Sequence, residues 1–146
     1  MKRISFLAII LLSLVTLSSC KIKTFSKEKY VQCFYDYHVQ SEKNAVGIDL
    51  RDLETEYASG HIKGFVNYNY QKGSKEEFII YVTSLYNKKT YIFLIDNNGE
   101  YVHSVAQILK EEGYKNIIVY DKGYNDIEEY AKETLQIVEG TDDCGC

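Results

Sequence analysis

Between residues 27 and 138, short runs of apolar residues alternate with stretches in which apolar positions recur every three or four residues. Short apolar runs are typical of buried β-strands, whereas the spacing of three and four is typical of amphipathic helices. The predicted strands cover residues 45–50, 65–70, 91–95 and 116–120. The predicted helices cover residues 27–39, 53–59, 74–86, 102–112 and 126–138.

Residues at the ends of these segments support the predicted boundaries. Ser26 is suited to cap a helix, and Ser74 with Glu77 forms a capping-box pattern. Gly60 and Gly113 can end helices, because glycine readily adopts the left-handed conformation that follows a last helical turn. Strands that alternate with helices at this spacing predict an α/β fold, with a parallel sheet covered by helices on both faces.

Composition is compatible with one small domain and excludes some partners. The chain has 146 residues, 45% of them hydrophobic, which is enough for a single core. Its formal net charge is −4, and removal of the basic residues Lys2 and Arg3 would make it more negative. A net acidic body argues against binding to nucleic acid or to an anionic membrane surface, and no run of Lys and Arg forms a basic patch by itself.

The N-terminus has the layout of a secretory signal: two basic residues, an apolar stretch over residues 4–17, and small residues at the cleavage point. The apolar stretch is shorter than the roughly 20 residues that a membrane span needs. Leu17-Ser18-Ser19-Cys20 resembles the lipobox of bacterial lipoproteins. This resemblance implies cleavage before Cys20 and a diacylglycerol thioether on its sulfur. A plain signal peptide and a permanent membrane helix remain the alternatives.

The predicted division of the chain follows from this signal. Residues 1–19 are a signal peptide, 20–28 a lipidated tether, 29–138 the globular domain, and 139–146 a polar tail. The predicted location is the extracytoplasmic face of a cell membrane, with the lipid on Cys20 as the membrane partner. Lys21 replaces the Asp that favours inner-membrane retention, which leaves sorting to an outer membrane open in a host with two membranes.

A motif follows the first predicted strand. Its residues are Asp49 and Arg51, then Glu56 and Tyr57, then Gly60, His61, Ile62 and Gly64. The motif closely resembles that of a rhodanese-like domain, and the resemblance extends over roughly residues 40–138. It implies a five-stranded parallel sheet flanked by helices on both faces. It also implies a catalytic cysteine after the central strand, which opens a six-residue loop and carries sulfane sulfur as a persulfide.

The loop at that position lacks the cysteine. It consists of Asp96, Asn97, Asn98, Gly99, Glu100 and Tyr101. Asp96 stands in place of the cysteine and Tyr101 in place of a frequent arginine. A carboxylate cannot form a persulfide, but it could occupy the loop's backbone amides as an internal anion. Because Glu100 adds a second negative charge, we expect thiosulfate to be repelled.

Other candidate residues have structural interpretations. Asp49 and Arg51 are predicted to be a buried polar pair at the strand end, and His61 and Gly64 to shape a turn. His103 is expected to be solvated rather than part of a pocket. No cofactor or metal site is predicted. The first hypothesis is therefore a membrane-anchored module without sulfurtransferase activity, which either binds a protein or small molecule or serves a structural role.

The cysteines support a second hypothesis. Cys33 lies on the apolar stripe of the first predicted helix, which indicates a packed thiol. Cys144 and Cys146, one residue apart near the C-terminus, could form a strained disulfide, a redox pair or a soft-metal clip. Two ligands without a third are weak evidence for a metal. The alternative function is an extracytoplasmic thiol redox or sulfur-carrier protein that uses this pair.

Overall fold

The computed structural model describes residues 21–141. The predicted signal peptide, the lipidation site Cys20, and the tail cysteines Cys144 and Cys146 lie outside the described residues. Within residues 21–141, no helix combines the length and apolar character needed to cross a membrane.

The main sheet has five strands, all parallel, in the order β1-β6-β5-β2-β4. These strands are β1 (Ile22–Thr24), β2 (Ala45–Asp49), β4 (Phe65–Asn67), β5 (Tyr91–Ile95) and β6 (Asn116–Val119). Two short strands, β3 (His61–Ile62) and β7 (Ile137–Val138), form a separate antiparallel pair. The predicted five-stranded parallel sheet of an α/β fold is confirmed.

Within residues 21–141, four α-helices cover the two faces of the sheet. They are α1 (Lys27–Phe34), α2 (Lys75–Leu85), α3 (Val102–Glu111) and α4 (Tyr124–Thr134). Along the central strand β5, Ile92 and Leu94 belong to the apolar cluster built with α2 and α3. Phe93 and Ile95, on the opposite face, belong to the cluster built with α1 and α4. Successive strand residues point to opposite faces, so β5 contributes to both cores.

The domain begins earlier than predicted. Residues 20–28 were predicted to be a tether, but Ile22–Thr24 pair with Ile117–Val119 as the edge strand β1. The backbone N–H of Phe25 extends this pairing to the carbonyl of Val119, and Ser26 then caps α1. The prediction failed because a three-residue edge strand needs only the backbone of its neighbour, and so leaves no apolar pattern in the sequence.

Three predicted helices also differ from the structure. The first ends as an α-helix at Phe34 and continues as a π-helical turn over Tyr35–Val39. The predicted helix at 53–59 is a single π-helical turn over Leu53–Tyr57. The last helix ends at Thr134 rather than 138, because Ile137–Val138 leave it to pair with β3.

All strands of the main sheet run the same way, so the sheet has two distinct ends. We call the end where its strands begin the amino edge, and the end where they finish the carboxyl edge. Asp49 and Ile95 are paired at the carboxyl edge, as Ala45 and Tyr91 are at the amino edge. Loops at the carboxyl edge of such a sheet are the usual place for binding and catalysis.

Candidate functional site

The loop that follows the central strand lies at the carboxyl edge, between β5 and α3. Asp96 comes directly after Ile95 and is 2% exposed. Its Oδ1 accepts hydrogen bonds from the backbone N–H groups of Asn98, at 3.1 Å, and Gly99. Its Oδ2 accepts one from the N–H of Tyr101 at 2.6 Å. The carboxylate therefore occupies the cradle of backbone donors that the loop forms.

The start of α3 explains why an anion belongs there. Tyr101 precedes the helix and provides no side-chain cap for its first turn. Unpaired N–H groups at a helix N-terminus carry partial positive charge and are stabilised by an anion. Asp96 supplies that negative charge from within the chain, so the cradle is filled rather than open.

The loop between β6 and α4 packs against the loop at residues 96–101. Gly99 has a φ of +86°, and a Cβ on it would lie 1.8 Å from the carbonyl oxygen of Asp121. Gly123 has a φ of +83°, and a Cβ there would lie 2.1 Å from the carbonyl oxygen of Asn97. The N–H of Tyr124 donates to the carbonyl of Asp96 at 2.8 Å. The two loops are thus packed backbone against backbone, which only glycine permits at these positions.

The outer side of the loop is negatively charged. Glu100 is exposed, and its charge is the main cause that raises the pKa of Tyr101. The Tyr101 ring packs at 5.8 Å from that of Tyr70. His103 is exposed and lies 3.5 Å from the carboxylate of Asp121, as expected for a solvated histidine.

Asp49 and Arg51 form the buried pair predicted from the sequence. Arg51 Nη2 lies 2.7 Å from Asp49 Oδ2, and the two side chains are 3% and 1% exposed. The same nitrogen donates to the carbonyl of Gly60 at 2.8 Å, and the guanidinium lies 3.6 Å from the ring centroid of Tyr124. Burial raises the pKa of Asp49, and the hydrogen bond from Arg51 opposes that rise. The pair ties the end of β2 to the next turn and to α4.

His61 lies in β3, and Gly64 lies in the turn between β3 and β4. The ring of His61 is buried and stacks on Tyr57 at 3.7 Å. Gly64 has a φ of +88°, and a Cβ there would lie 2.5 Å from His38 Nε2. His38 Nδ1 lies 2.8 Å from the carbonyl oxygen of Ala45. Folding brings Ala45 and Gly64 to His38 from other segments of the chain.

No thiol of the described residues lies in the cradle. Cys33 is a free cysteine, partly buried against the cluster of α1 and α4. Burial raises the pKa of its thiol, so at neutral pH it is a poor nucleophile. Within residues 21–141, no three His, Cys, Asp or Glu side chains are grouped as metal ligands.

A cavity of about 290 Å³ that the sequence did not reveal lies beside the loop. Its lining includes Arg51, Glu56, Asn97, Tyr124 and Glu128. The buried hydroxyl of Tyr124 has no hydrogen-bond partner among the described residues. Burial is the main cause that raises the pKa of Tyr124 to about 12, so this hydroxyl remains a donor at neutral pH. The residues come from three segments, and no local pattern links them.

A family model of known proteins matches most of the domain. The model of the rhodanese-like domain family matches residues 36–130. A search of curated proteins finds no match.

Solved structures share the fold at low sequence identity. The Alr3790 protein from Anabaena sp. is 17% identical, with 77% of this chain and 81% of that chain covered and a TM-score of 0.59. An uncharacterized protein from Saccharomyces cerevisiae is 19% identical, with 80% and 98% covered and a TM-score of 0.61. A thiosulfate sulfurtransferase from Pseudomonas aeruginosa is 16% identical, with 82% and 20% covered and a TM-score of 0.53.

Proposed function

The chain belongs to the rhodanese-like domain family, and we propose that it is a lipid-anchored, extracytoplasmic member without sulfurtransferase activity. One observation carries this proposal: the carboxylate of Asp96 fills the cradle of backbone amides after the central strand. In active members of the rhodanese-like family, the corresponding loop surrounds a cysteine persulfide. Here it is satisfied from within the chain and acts as a structural element of the loop.

Two chemical arguments support the loss of sulfur transfer. A carboxylate oxygen at position 96 cannot accept and pass on sulfane sulfur, which requires a thiolate. A thiosulfate ion entering the cradle would also have to displace Asp96 from three backbone donors. The exposed carboxylate of Glu100 would repel it on approach.

The test is a rhodanese assay on a soluble fragment of residues 21–146. With thiosulfate and cyanide, we expect no more thiocyanate than from the variant Cys33→Ser/Cys144→Ser/Cys146→Ser, which has no thiol. Turnover well above that matched control would show that one of the three cysteines carries sulfur, and would refute the proposal.

Lipidation of Cys20 is supported by the sequence Leu17-Ser18-Ser19-Cys20. In bacteria that express the full chain and are fed an alkyne fatty acid, we expect the protein to be labelled. The variant Cys20→Ser should be unlabelled and should keep its signal peptide. Equal labelling of the two proteins would exclude Cys20 as the lipidation site.

One structural observation keeps the second hypothesis in view. The N–H of Gly140 donates to the carbonyl of Ala58 at 2.8 Å, which brings the start of the C-terminal tail to this part of the domain. Ser59, which follows Ala58, lines the cavity beside Arg51. Cys144 follows four residues later, within about 14 Å of extended chain. A redox role requires Cys144 and Cys146 to cycle between dithiol and disulfide by exchange with a partner thiol. Thiol titration in defined glutathione buffers tests this, and a pair that stays reduced throughout would exclude it.

A further inference from the structure

The amino edge of the sheet forms one continuous surface. The segments before β2, β5 and β6 cover residues 40–44, 86–90 and 112–115. The N–H of Tyr91 donates to the carbonyl of Asn44 at 2.9 Å, which joins the first segment to the second. The N–H of Lys115 donates to the carbonyl of Lys88 at 3.3 Å, which joins the second to the third. Strand β1 begins at the same edge, because Ile22 is paired with Ile117 of β6.

This surface carries exposed lysines that the rest of the domain does not neutralise. We call them the lysine edge, and they are Lys21, Lys43, Lys88, Lys89 and Lys115. Within residues 21–141, none of them forms an ion pair with a carboxylate. Lys88 lies 4.1 Å from the ring centroid of Tyr114, which leaves its charge in place. The acidic residues of the three segments are Glu42 and Glu112, so the surface is net positive.

The carboxyl edge has the opposite character. Carboxylates there include Asp52, Glu54, Glu100, Asp121 and Asp126. Of the cations near them, Lys72 lies 2.6 Å from Asp52, Lys27 lies 3.0 Å from Asp126, and Lys122 is exposed, so the carboxylates outnumber these cations. The net negative charge of the chain therefore conceals a separation of charge along the direction of the strands.

The place of Cys20 in the sequence, two residues before Ile22, indicates which partner the lysine edge would contact. Consecutive Cα atoms are 3.8 Å apart, so a lipid carried by Cys20 would be attached within about 8 Å of the Cα of Ile22. The lysines would then lie at the level of the phospholipid headgroups. An anionic surface attracts such residues, and each lysine close to it strengthens binding about fivefold.

We propose that the lysine edge rests on the anionic phospholipids of the membrane that holds Cys20, so that the loop at 96–101 faces away from that membrane. The proposal rests on the lipidation proposed above. Five residues of parallel strand separate the two edges, or about 17 Å. The acidic carboxyl edge would be repelled by the same lipids, which favours this one orientation.

Vesicle binding tests the lysine edge without the lipid on Cys20. The sheet and both apolar clusters lie within residues 22–138, so the fragment 21–146 retains the whole domain. At low ionic strength, we expect it to sediment with vesicles of phosphatidylcholine and phosphatidylglycerol, and not with phosphatidylcholine alone. Binding should weaken steeply with added salt, because salt screens charges on exposed groups.

Two variants with the same change of net charge separate the lysine edge from overall charge. K43Q/K89Q/K115Q removes three lysines of the edge, and we expect binding at least tenfold weaker. K63Q/K122Q/K132Q removes three exposed lysines outside it, and we expect binding within twofold of the parent fragment. Equal losses in both variants, or no binding of the parent fragment to the anionic vesicles, would overturn the proposal.

The orientation is tested on the lipidated full chain in anionic vesicles. In a chain whose Cys33, Cys144 and Cys146 are replaced by Ser, a fluorophore attached at Lys89→Cys should be quenched by lipids with labelled headgroups, and one attached at Asn98→Cys should not. Equal quenching at both sites would contradict the proposed orientation. Failure of fatty-acid labelling combined with selective vesicle binding would instead refute the anchor at Cys20 while leaving the lysine edge supported.

Discussion

The charged side chains at the two edges of the sheet differ in burial and in pairing. At the carboxyl edge, the key charged groups are buried and satisfied internally: Asp96 by backbone amides, and Asp49 by Arg51. At the amino edge, the lysines are exposed and unpaired within the described residues. Interactions of the first kind contribute to folding, whereas charges of the second kind remain available to a partner. In the function proposed above, the loop at the carboxyl edge therefore serves as part of the scaffold.

The largest expected effect comes from breaking the buried pair. Arg51→Met leaves Asp49 buried without its partner, and we expect a loss of about 3–5 kcal/mol in the free energy of unfolding. Lys72→Met is the matched control, because it breaks an ion pair whose lysine is 68% exposed. The control should lose less than about 1 kcal/mol. Urea denaturation measures both, and similar losses would show that burial at the carboxyl edge does not set the cost.

The next largest effect is expected at the cradle. Asp96→Ala leaves three backbone donors without their acceptor and should cost about 2–3 kcal/mol. It should also open the cradle, so sulfate should raise the melting temperature of this variant and not that of the parent protein. Asn98→Ala, which removes the acceptor of only the Glu100 N–H, is the control. A parent protein stabilised equally by sulfate would mean that anions bind elsewhere.

Acid should lower the stability of the folded protein, because Asp52 at the carboxyl edge becomes protonated. Hydrogen bonds from Lys72 and Thr55 lower the pKa of Asp52 below that of the unfolded chain. Its stabilising contribution is therefore present above the unfolded value, near 3.9, and is lost as pH falls toward the folded value. The urea midpoints of the parent protein and of Asp52→Asn should converge between pH 5 and pH 2.5. A constant difference over this range would contradict the assignment.

A smaller effect is expected from restoring the missing thiol. Asp96→Cys alone should give little sulfurtransferase activity, because Glu100 and Tyr101 still make the mouth of the loop unfavourable to thiosulfate. The triple variant that also carries Glu100→Ser and Tyr101→Arg is the comparison in the thiocyanate assay. A large gain from the single change would show that the charge of the loop matters less than the sulfur atom.

The smallest effect on stability is expected at the amino edge. The variant K43Q/K89Q/K115Q should unfold within about 0.5 kcal/mol of the parent, because these lysines are exposed and unpaired within the described residues. Thermal and urea denaturation measure this. A loss comparable to that of Asp96→Ala would mean that the lysine edge, too, is part of the scaffold.

The sequence by itself determined the succession of most strands and helices along the chain and the motif around Asp49 and Arg51. Apolar periodicity and local turns depend on residues that are close together in the chain. The sequence also determined that position 96 has no sulfur. It did not reveal β1, because a three-residue edge strand depends on hydrogen bonds to a distant strand.

Only the tertiary structure decided what the charged residues do. The filling of the cradle depends on the close approach of the loops around Gly99 and Gly123, which lie far apart in the chain. The lysine edge exists because parallel strands bring all their beginnings to one end of the sheet. Composition gives one net charge, whereas strand direction separates that charge into an acidic edge and a basic edge.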